Sequence, residues 1–134
     1  MLTWETVKEL CRELPGVEEG IWFRTPAMKV KGKSFTRLKE DGETLVVMVP
    51  EVEKDILLAA RPDVFFQTDH YVGWPAMLIR LKKVSRPALR ERLVVAWKLY
   101  APTKLLKELE GTAPASPARK RVARKRVGRR GREA

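Results

Sequence analysis

The order of apolar and polar residues along the chain predicts short strands and amphipathic helices. The densest apolar part is Val64 to Leu81, in which two apolar runs, 64–66 and 77–79, flank a middle rich in aromatic residues and turn formers. Short β-branched and aromatic runs bounded by Gly, Pro and Asp are typical of two strands joined by a loop. Because no other part of the chain can bury as much surface locally, we expect the core to form around this hairpin, with Phe65 buried.

Three segments carry apolar residues at helical spacing, with polar residues on their other faces. The first follows Thr3, a residue type that caps helices, and stops at Pro15-Gly16. The second is Glu51 to Ala60, and the third begins after Ser85, with a short continuation at 103–109. The predicted apolar stripes are Trp4, Val7, Cys11 and Leu14 in the first helix, Val52, Ile56, Ala59 and Ala60 in the second, and Leu89, Leu93, Ala96, Trp97 and Tyr100 in the third.

Four strands are predicted between the first two helices, at 17–23, 27–30, 35–38 and 45–49. A break at Thr25-Pro26 and turns at 31–33 and 40–42 separate them, because Gly, Pro and Asp mark turns. The segment 45–49 is apolar throughout, which predicts a central strand covered on both faces. In the second strand, alternation places Met28 and Val30 on one face and Lys29 and Lys31 on the other.

Length and composition indicate one domain without disulfides. A chain of 134 residues with 44% hydrophobic residues can bury a core of its own. Cys11 is the single cysteine, which suits a reducing compartment, and its place on an apolar stripe predicts a buried structural residue. The start of the chain lacks the pattern of a signal peptide, and no apolar run approaches the roughly 18 residues of a membrane span. We therefore expect a soluble cytoplasmic protein.

The positive charge is concentrated in the last part of the chain. Residues 112–134 hold nine of the 28 Lys and Arg and one acid, a net charge of +8, whereas residues 1–111 carry only +3. Gly111 ends the last predicted helix, and a linker rich in Ala, Pro, Ser and Thr follows. The motif Ala-Arg-Lys-Arg-Val then occurs at 118–122 and again at 123–127. This pattern predicts a folded domain at 1–111 and a linker with a disordered, Arg/Lys-rich tail at 112–134.

Four motifs in this order resemble the MmcQ/YjbR family. They are Leu-Pro-Gly-Val-Glu-Glu at 14–19, Pro-Ala-Met-Lys-Val-Lys-Gly-Lys-Ser-Phe at 26–35, Phe-Phe-Gln-Thr-Asp-His-Tyr at 65–71 followed by Gly73-Trp74, and the later Leu89, Leu93, Ala96-Trp97 and Ala101-Pro102. The resemblance covers residues 3–109 and leaves the tail out. It implies an α+β domain with a double-wing, frataxin-like architecture, a twisted antiparallel sheet with helices packed on it, and DNA binding. It supplies no catalytic residues.

The chain shows no catalytic constellation. His70 is the only histidine and Cys11 the only cysteine, so a tight zinc or iron site built from such ligands is not available. Ser34 and Ser85 lack the surroundings of a nucleophilic serine, and the glycines do not form a phosphate-binding loop. We expect a non-enzymatic protein without catalytic residues, metal or cofactor, in which His70 is a structural or solvated residue at a strand end.

Lysine and arginine residues are the candidate nucleic-acid contacts. Nine of them fall within the fourteen residues 119–132, a density typical of segments that pair with phosphates. The strands add a second set, which is either a basic face that contacts a duplex or an ordinary solvated surface. The tail candidates are Arg119, Lys120, Arg121, Arg124, Lys125, Arg126, Arg129, Arg130 and Arg132, and the sheet candidates are Lys29, Lys31, Lys33, Arg80, Lys82 and Lys83, with Arg37 on the same surface.

These observations predict nucleic-acid binding, to DNA more than to RNA, through non-specific phosphate contacts. The alternative is a non-enzymatic adaptor whose α+β core binds a protein or a small ligand near His70. Trp22 and Trp74 fit either base stacking or the covering of a sheet edge. We expect a monomer. We expect no membrane partner, because the tail lacks large apolar anchors.

Overall fold

The computed structural model describes residues 1–112, which fold into four helices and six strands. In chain order these are α1 (Trp4–Cys11), β1 (Val17–Trp22), β2 (Thr25–Val30), β3 (Lys33–Leu38), β4 (Thr44–Met48), α2 (Glu51–Ala60), β5 (Phe65–Phe66), β6 (Ala76–Arg80), α3 (Arg86–Tyr100) and α4 (Thr103–Thr112). A 3₁₀ turn, Asp69–Tyr71, lies between β5 and β6. The α+β class predicted from the sequence is confirmed.

The strands form one antiparallel sheet in the order β1-β2-β3-β4-β6-β5. The predicted hairpin is confirmed, since Phe65 of β5 pairs with Ile79 of β6 and both side chains are buried. All five residues of β4 are buried, as expected of a strand covered on both faces. Apolar side chains on two faces therefore hold the middle of the sheet in place.

Helices α1 and α3 pack apolar side chains onto the core that the strands form. Ser85 caps α3 by accepting a hydrogen bond from the Ala88 N–H, as the sequence predicted. Trp97 is fully buried in α3, and its indole Nε1 donates to the Pro15 carbonyl at 3.0 Å. Helix α3 packs against β3, β4 and α1, so one amphipathic helix joins the sheet to the first helix. Trp4, predicted to lie in the core, is only partly buried against it.

The predicted break at Thr25-Pro26 is wrong, because both residues lie inside β2. The chain turns instead at Phe23 and Arg24, whose φ angles are 52° and 67°. These two residues link Trp22 to its partner Thr25. Positive φ at both central positions is normally met by Asn and Gly, so the sequence carries no local signal for this turn.

The face of α2 that packs on the sheet is opposite to the face that its apolar spacing predicts. Val52 and Ile56 are 75% and 61% exposed, whereas Lys54 is only 2% exposed. Leu57 and Leu58 are partly buried against the core, and they lie three and four residues after Lys54. The helix has enough apolar side chains for two faces, so packing against its neighbours decides which face is buried.

The buried ammonium of Lys54 joins α2 to the end of the 3₁₀ turn and to the segment that follows it. Its Nζ donates to the carbonyl of Tyr71 at 2.9 Å and to that of Trp74 at 2.7 Å. Among residues 1–112, no carboxylate lies within ion-pair distance of it. A buried cation needs such oxygen acceptors, so Lys54 fixes the path of this segment over the sheet.

Helix α4 continues through Gly111, at which the sequence predicted its end. The predicted disordered tail lies outside the described residues, apart from Thr112. No helix within residues 1–112 has the length and apolar character that crossing a membrane requires.

Replacing Phe65 by Ala should lower the free energy of unfolding by about 3–5 kcal/mol, as for other buried aromatic residues, because it leaves a cavity between the sheet and its cover. Chemical denaturation of the full chain measures this. The matched control is Val52→Ala, which removes an exposed side chain and should change the free energy by less than about 0.5 kcal/mol. Equal effects of the two substitutions would show that Phe65 is not part of the core.

Replacing Lys54 by Met should destabilise the fold by about 1–3 kcal/mol, because the Trp74 carbonyl loses its buried donor. Amide hydrogen exchange should accelerate in residues 69–75. Lys98→Met, on the exposed side of α3, is the control and should alter neither quantity. Unchanged exchange in 69–75 would contradict the role given to Lys54.

Candidate functional site

The sheet cations predicted to contact nucleic acid fall into two groups. Lys29, Lys31 and Lys33 lie on the β2–β3 hairpin, whereas Arg80, Lys82 and Lys83 lie at the end of β6. The strand register pairs Leu38 with Leu45 and Leu45 with Ile79, so the end of β3 is level with the end of β6. Lys33 is at the opposite end of β3, about 16 Å away along the strand at roughly 3.3 Å per residue. The two groups therefore lie at opposite ends of the sheet.

The charges of the hairpin group are the less compensated ones. Lys31 is exposed at the turn with a φ of 52°, and Lys33 is exposed with its ammonium 5.6 Å from the centre of the Tyr100 ring. Lys29 is partly buried, and its side chain lies against Gly20. None of the three forms an ion pair with a carboxylate of residues 1–112. These ammonium groups can therefore bind an external anion without first breaking an ion pair inside the domain.

The group at the end of β6 is compensated locally. The Arg80 guanidinium stacks 4.0 Å from the centre of the Phe66 ring and donates to the Pro62 carbonyl. Lys82 forms an ion pair with Glu43 at 3.0 Å. A hydrogen bond from Arg61 is the chief cause that lowers the pKa of Asp63, and the charge of Lys83 adds to this lowering. Nearby acids and carbonyls thus weaken the attraction of this group for phosphate.

Arg37 was predicted on the basic surface, but it is only 5% exposed. Its Nη1 donates to the Thr25 hydroxyl at 3.0 Å and its Nη2 to the Tyr71 hydroxyl at 3.1 Å. Arg37 is paired with Ala27 and Val46 in register, so it shares the face of the sheet on which those apolar side chains lie. The structure therefore corrects this prediction: Arg37 is an inward-facing cation, not a surface contact.

A depression of about 260 Å³ opens beside Arg37. The β1–β2 turn forms one wall and the segment around the 3₁₀ turn forms the other. Its lining residues are Phe23, Arg37, Lys39, Glu40, Thr68, His70 and Tyr71. The His70 ring is stacked on Trp74, with centroids 6.5 Å apart and planes 12° apart. This depression, which we call the Arg37 pocket, combines ring faces with cationic side chains.

His70 is exposed within the 3₁₀ turn, as a solvated residue would be. No group of three His, Cys, Asp or Glu side chains within residues 1–112 is arranged to hold a metal ion. Cys11 is fully buried, which confirms the structural role predicted for it. Burial raises the pKa of its thiol to about 12, so the thiol stays protonated and unreactive at neutral pH.

A small-ligand site near His70 is the alternative that the sequence predicts, but the sequence does not mark Arg37 or Phe23 as part of it. The order of side chains in β3 gives no reliable signal for Arg37, because the register with β2 shifts between Met28 and Lys29 and interrupts simple alternation at Phe35. The nine candidate residues of the tail, from Arg119 to Arg132, lie outside the described residues.

Comparison with known proteins places this fold in a family. The family model described as YjbR matches residues 12–99. Uncharacterized proteins of Mycobacterium tuberculosis and Mycobacterium bovis are 31% identical to this chain, with 79% of this chain and 94% of each relative covered. The crystal structure of a Deinococcus radiodurans protein, assigned to the domain family DUF419, superposes with a TM-score of 0.68. It is 22% identical and covers 92% of this chain and 97% of its own, which shows a shared fold.

The family match spans the whole sheet and all of α3 except Tyr100, which agrees with the motifs and the architecture described above. The chain therefore belongs to the YjbR family.

Proposed function

We propose that this protein binds nucleic acid, preferentially double-stranded DNA, through non-specific contacts with phosphates. The observation that carries the proposal is the run of nine Lys and Arg within residues 119–132. Each cation that neutralises a phosphate releases a condensed counterion, which gives sequence-independent affinity. The proposed role is that of a non-enzymatic, monomeric binding protein of the cytoplasm.

The folded domain adds a smaller contribution. Residues 1–111 carry a net charge of only +3, and the acids near Lys82 and Lys83 offset part of their charge. The β2–β3 hairpin presents Lys31 and Lys33 without internal carboxylate partners among residues 1–112. A hairpin tip of this kind can follow a phosphate backbone while the tail supplies most of the affinity.

The salt dependence of binding to duplex DNA tests this division. If the tail engages about six phosphates, the log–log slope of affinity against salt should be near −5 for the full chain, at roughly −0.9 per phosphate. A full-length variant with the nine tail cations replaced by Gln should give a slope of about −2 or smaller in magnitude, with much weaker binding. Fluorescence anisotropy at several salt concentrations measures both quantities.

Two further variants separate charge from sequence and tail from domain. A variant with the residues of 118–132 in scrambled order keeps every charge and should bind as the natural chain does, because phosphate contacts do not read base edges. Replacing Lys31 and Lys33 together by Gln should make the salt slope less negative by about 1–2.

A nine-Gln variant that binds as tightly as the natural chain, with the same slope, would show that the folded domain is the binding site. Absence of binding to DNA and RNA at low salt would refute the proposed function.

A further inference from the structure

The Arg37 pocket takes no part in the phosphate contacts proposed above. Its floor holds a cation whose charge is poorly neutralised inside the protein. The partners of the Arg37 guanidinium are neutral hydroxyls, from Thr25 and Tyr71, and its Nε has no hydrogen-bond partner among the described residues. The carboxylate that it approaches, that of Glu40, is 3.9 Å away and 68% exposed. Such a buried cation favours an anion that enters the pocket beside it.

Ring faces surround this cation. Phe23 is 62% exposed, yet the Arg37 guanidinium lies 5.2 Å from the centre of its ring. His70 stands edge-on to Tyr71, with centroids 4.9 Å apart, and its other contact is the stack on the exposed ring of Trp74. Exposed aromatic faces beside a cation suit a ligand that has both a ring and a negative group.

The two walls of the pocket are fixed by a strained turn on one side and by a buried lysine on the other, and both features are costly to the fold. Phe23 and Arg24 have positive φ angles, a conformation that side chains other than Gly disfavour. Strain of this kind persists where the surroundings enforce it, and it tends to occur at ligand sites. On the other wall, Lys54 fixes the carbonyls of Tyr71 and Trp74. Both walls are therefore set before any ligand arrives, which reduces the entropy lost on binding.

We propose that the Arg37 pocket binds a small organic anion that carries a planar ring, with its carboxylate or phosphate beside Arg37 and Lys39 and its ring against Phe23 and His70. Its volume of about 260 Å³ admits one ring with its charged substituent. Thr68 adds a hydroxyl at the wall. The ligand is either a free small molecule or the phosphorylated end of a single-stranded nucleic acid, since both present this chemistry.

Chemical-shift titration of the isotope-labelled full chain tests the proposal. The ring-bearing probes are phenyl phosphate, benzoate and adenosine 5′-monophosphate, and the comparison probes are inorganic phosphate, which lacks a ring, and adenosine, which lacks a charge. The ring-bearing anions should shift the amides of residues 23–25, 37–40 and 68–74 in a saturable way. The comparison probes should bind there at least about tenfold more weakly, because each lacks one of the two contacts.

Variants assign the effect to individual side chains. Arg37→Gln removes the charge and should weaken binding by about tenfold or more. Phe23→Gly removes the ring while it suits the positive φ of this turn, so affinity should fall by about three- to tenfold. Glu40→Gln removes the one acid in the lining and should strengthen binding by about two- to threefold. Lys98→Gln, on the exposed side of α3 and outside the pocket, should leave affinity unchanged.

The same titration distinguishes a free small molecule from a nucleic-acid end as the ligand. It also shows whether binding in the pocket depends on the tail. An oligonucleotide with a 5′-phosphate that shifts these amides, when its unphosphorylated form does not, would identify a nucleic-acid end as the ligand. The nine-Gln tail variant should retain the pocket titration in full, even if it loses duplex binding. Inorganic phosphate that binds as well as phenyl phosphate, or shifts that survive Arg37→Gln and Phe23→Gly together, would overturn the proposal. So would the absence of saturable shifts with every probe.

Discussion

The burial of β4 on both faces is the constraint from which the rest of the structure follows. All five residues of β4 and the first four of the adjacent β6 are buried, and most of them are apolar, so each face of the sheet needs a cover. Helices α1 and α3 cover one face with a continuous apolar stripe that includes Trp97. The segment with Tyr71 closes over part of the other face, where Arg37 accompanies Val46. A short irregular segment buries little apolar area, so other interactions must hold it in place.

Two buried cations provide these interactions. Lys54 reaches the carbonyls of Tyr71 and Trp74 from α2, and Arg37 reaches the hydroxyl of Tyr71 from the sheet. Removing a cation from water is costly, and neutral oxygens compensate this cost only in part. The arrangement thus fixes the segment and leaves positive potential beneath it. The structural role of Arg37 and the ligand preference proposed for its pocket have the same physical origin.

The positive charges of the chain serve different purposes according to where they lie. Buried guanidinium and ammonium groups hold the loop segment, cations at the end of β6 pair with local acids, and those at the β2–β3 hairpin face solvent. The large surplus lies after the folded domain, in residues 112–134. A separation of this kind lets the domain keep a nearly balanced surface, while the tail carries the long-range attraction for polyanions.

The sequence by itself determined the features that depend on local periodicity. These include the hairpin with Phe65, the two-sided burial of β4, the cap of α3 at Ser85 and the distinct charge of the tail. Local pattern suffices there because one face or one residue type dominates each segment. Only the tertiary structure decided which face of α2 is buried, because Val52 and Ile56 compete with Leu57 and Leu58 and the contact of Lys54 is distant in sequence. It alone revealed the turn at Phe23 and Arg24, since their positive φ angles are enforced by strand pairing rather than by residue type. It also assembled the Arg37 pocket, whose walls, at Phe23 and at Thr68 to Tyr71, come from segments 45 to 48 residues apart and meet only when the sheet forms.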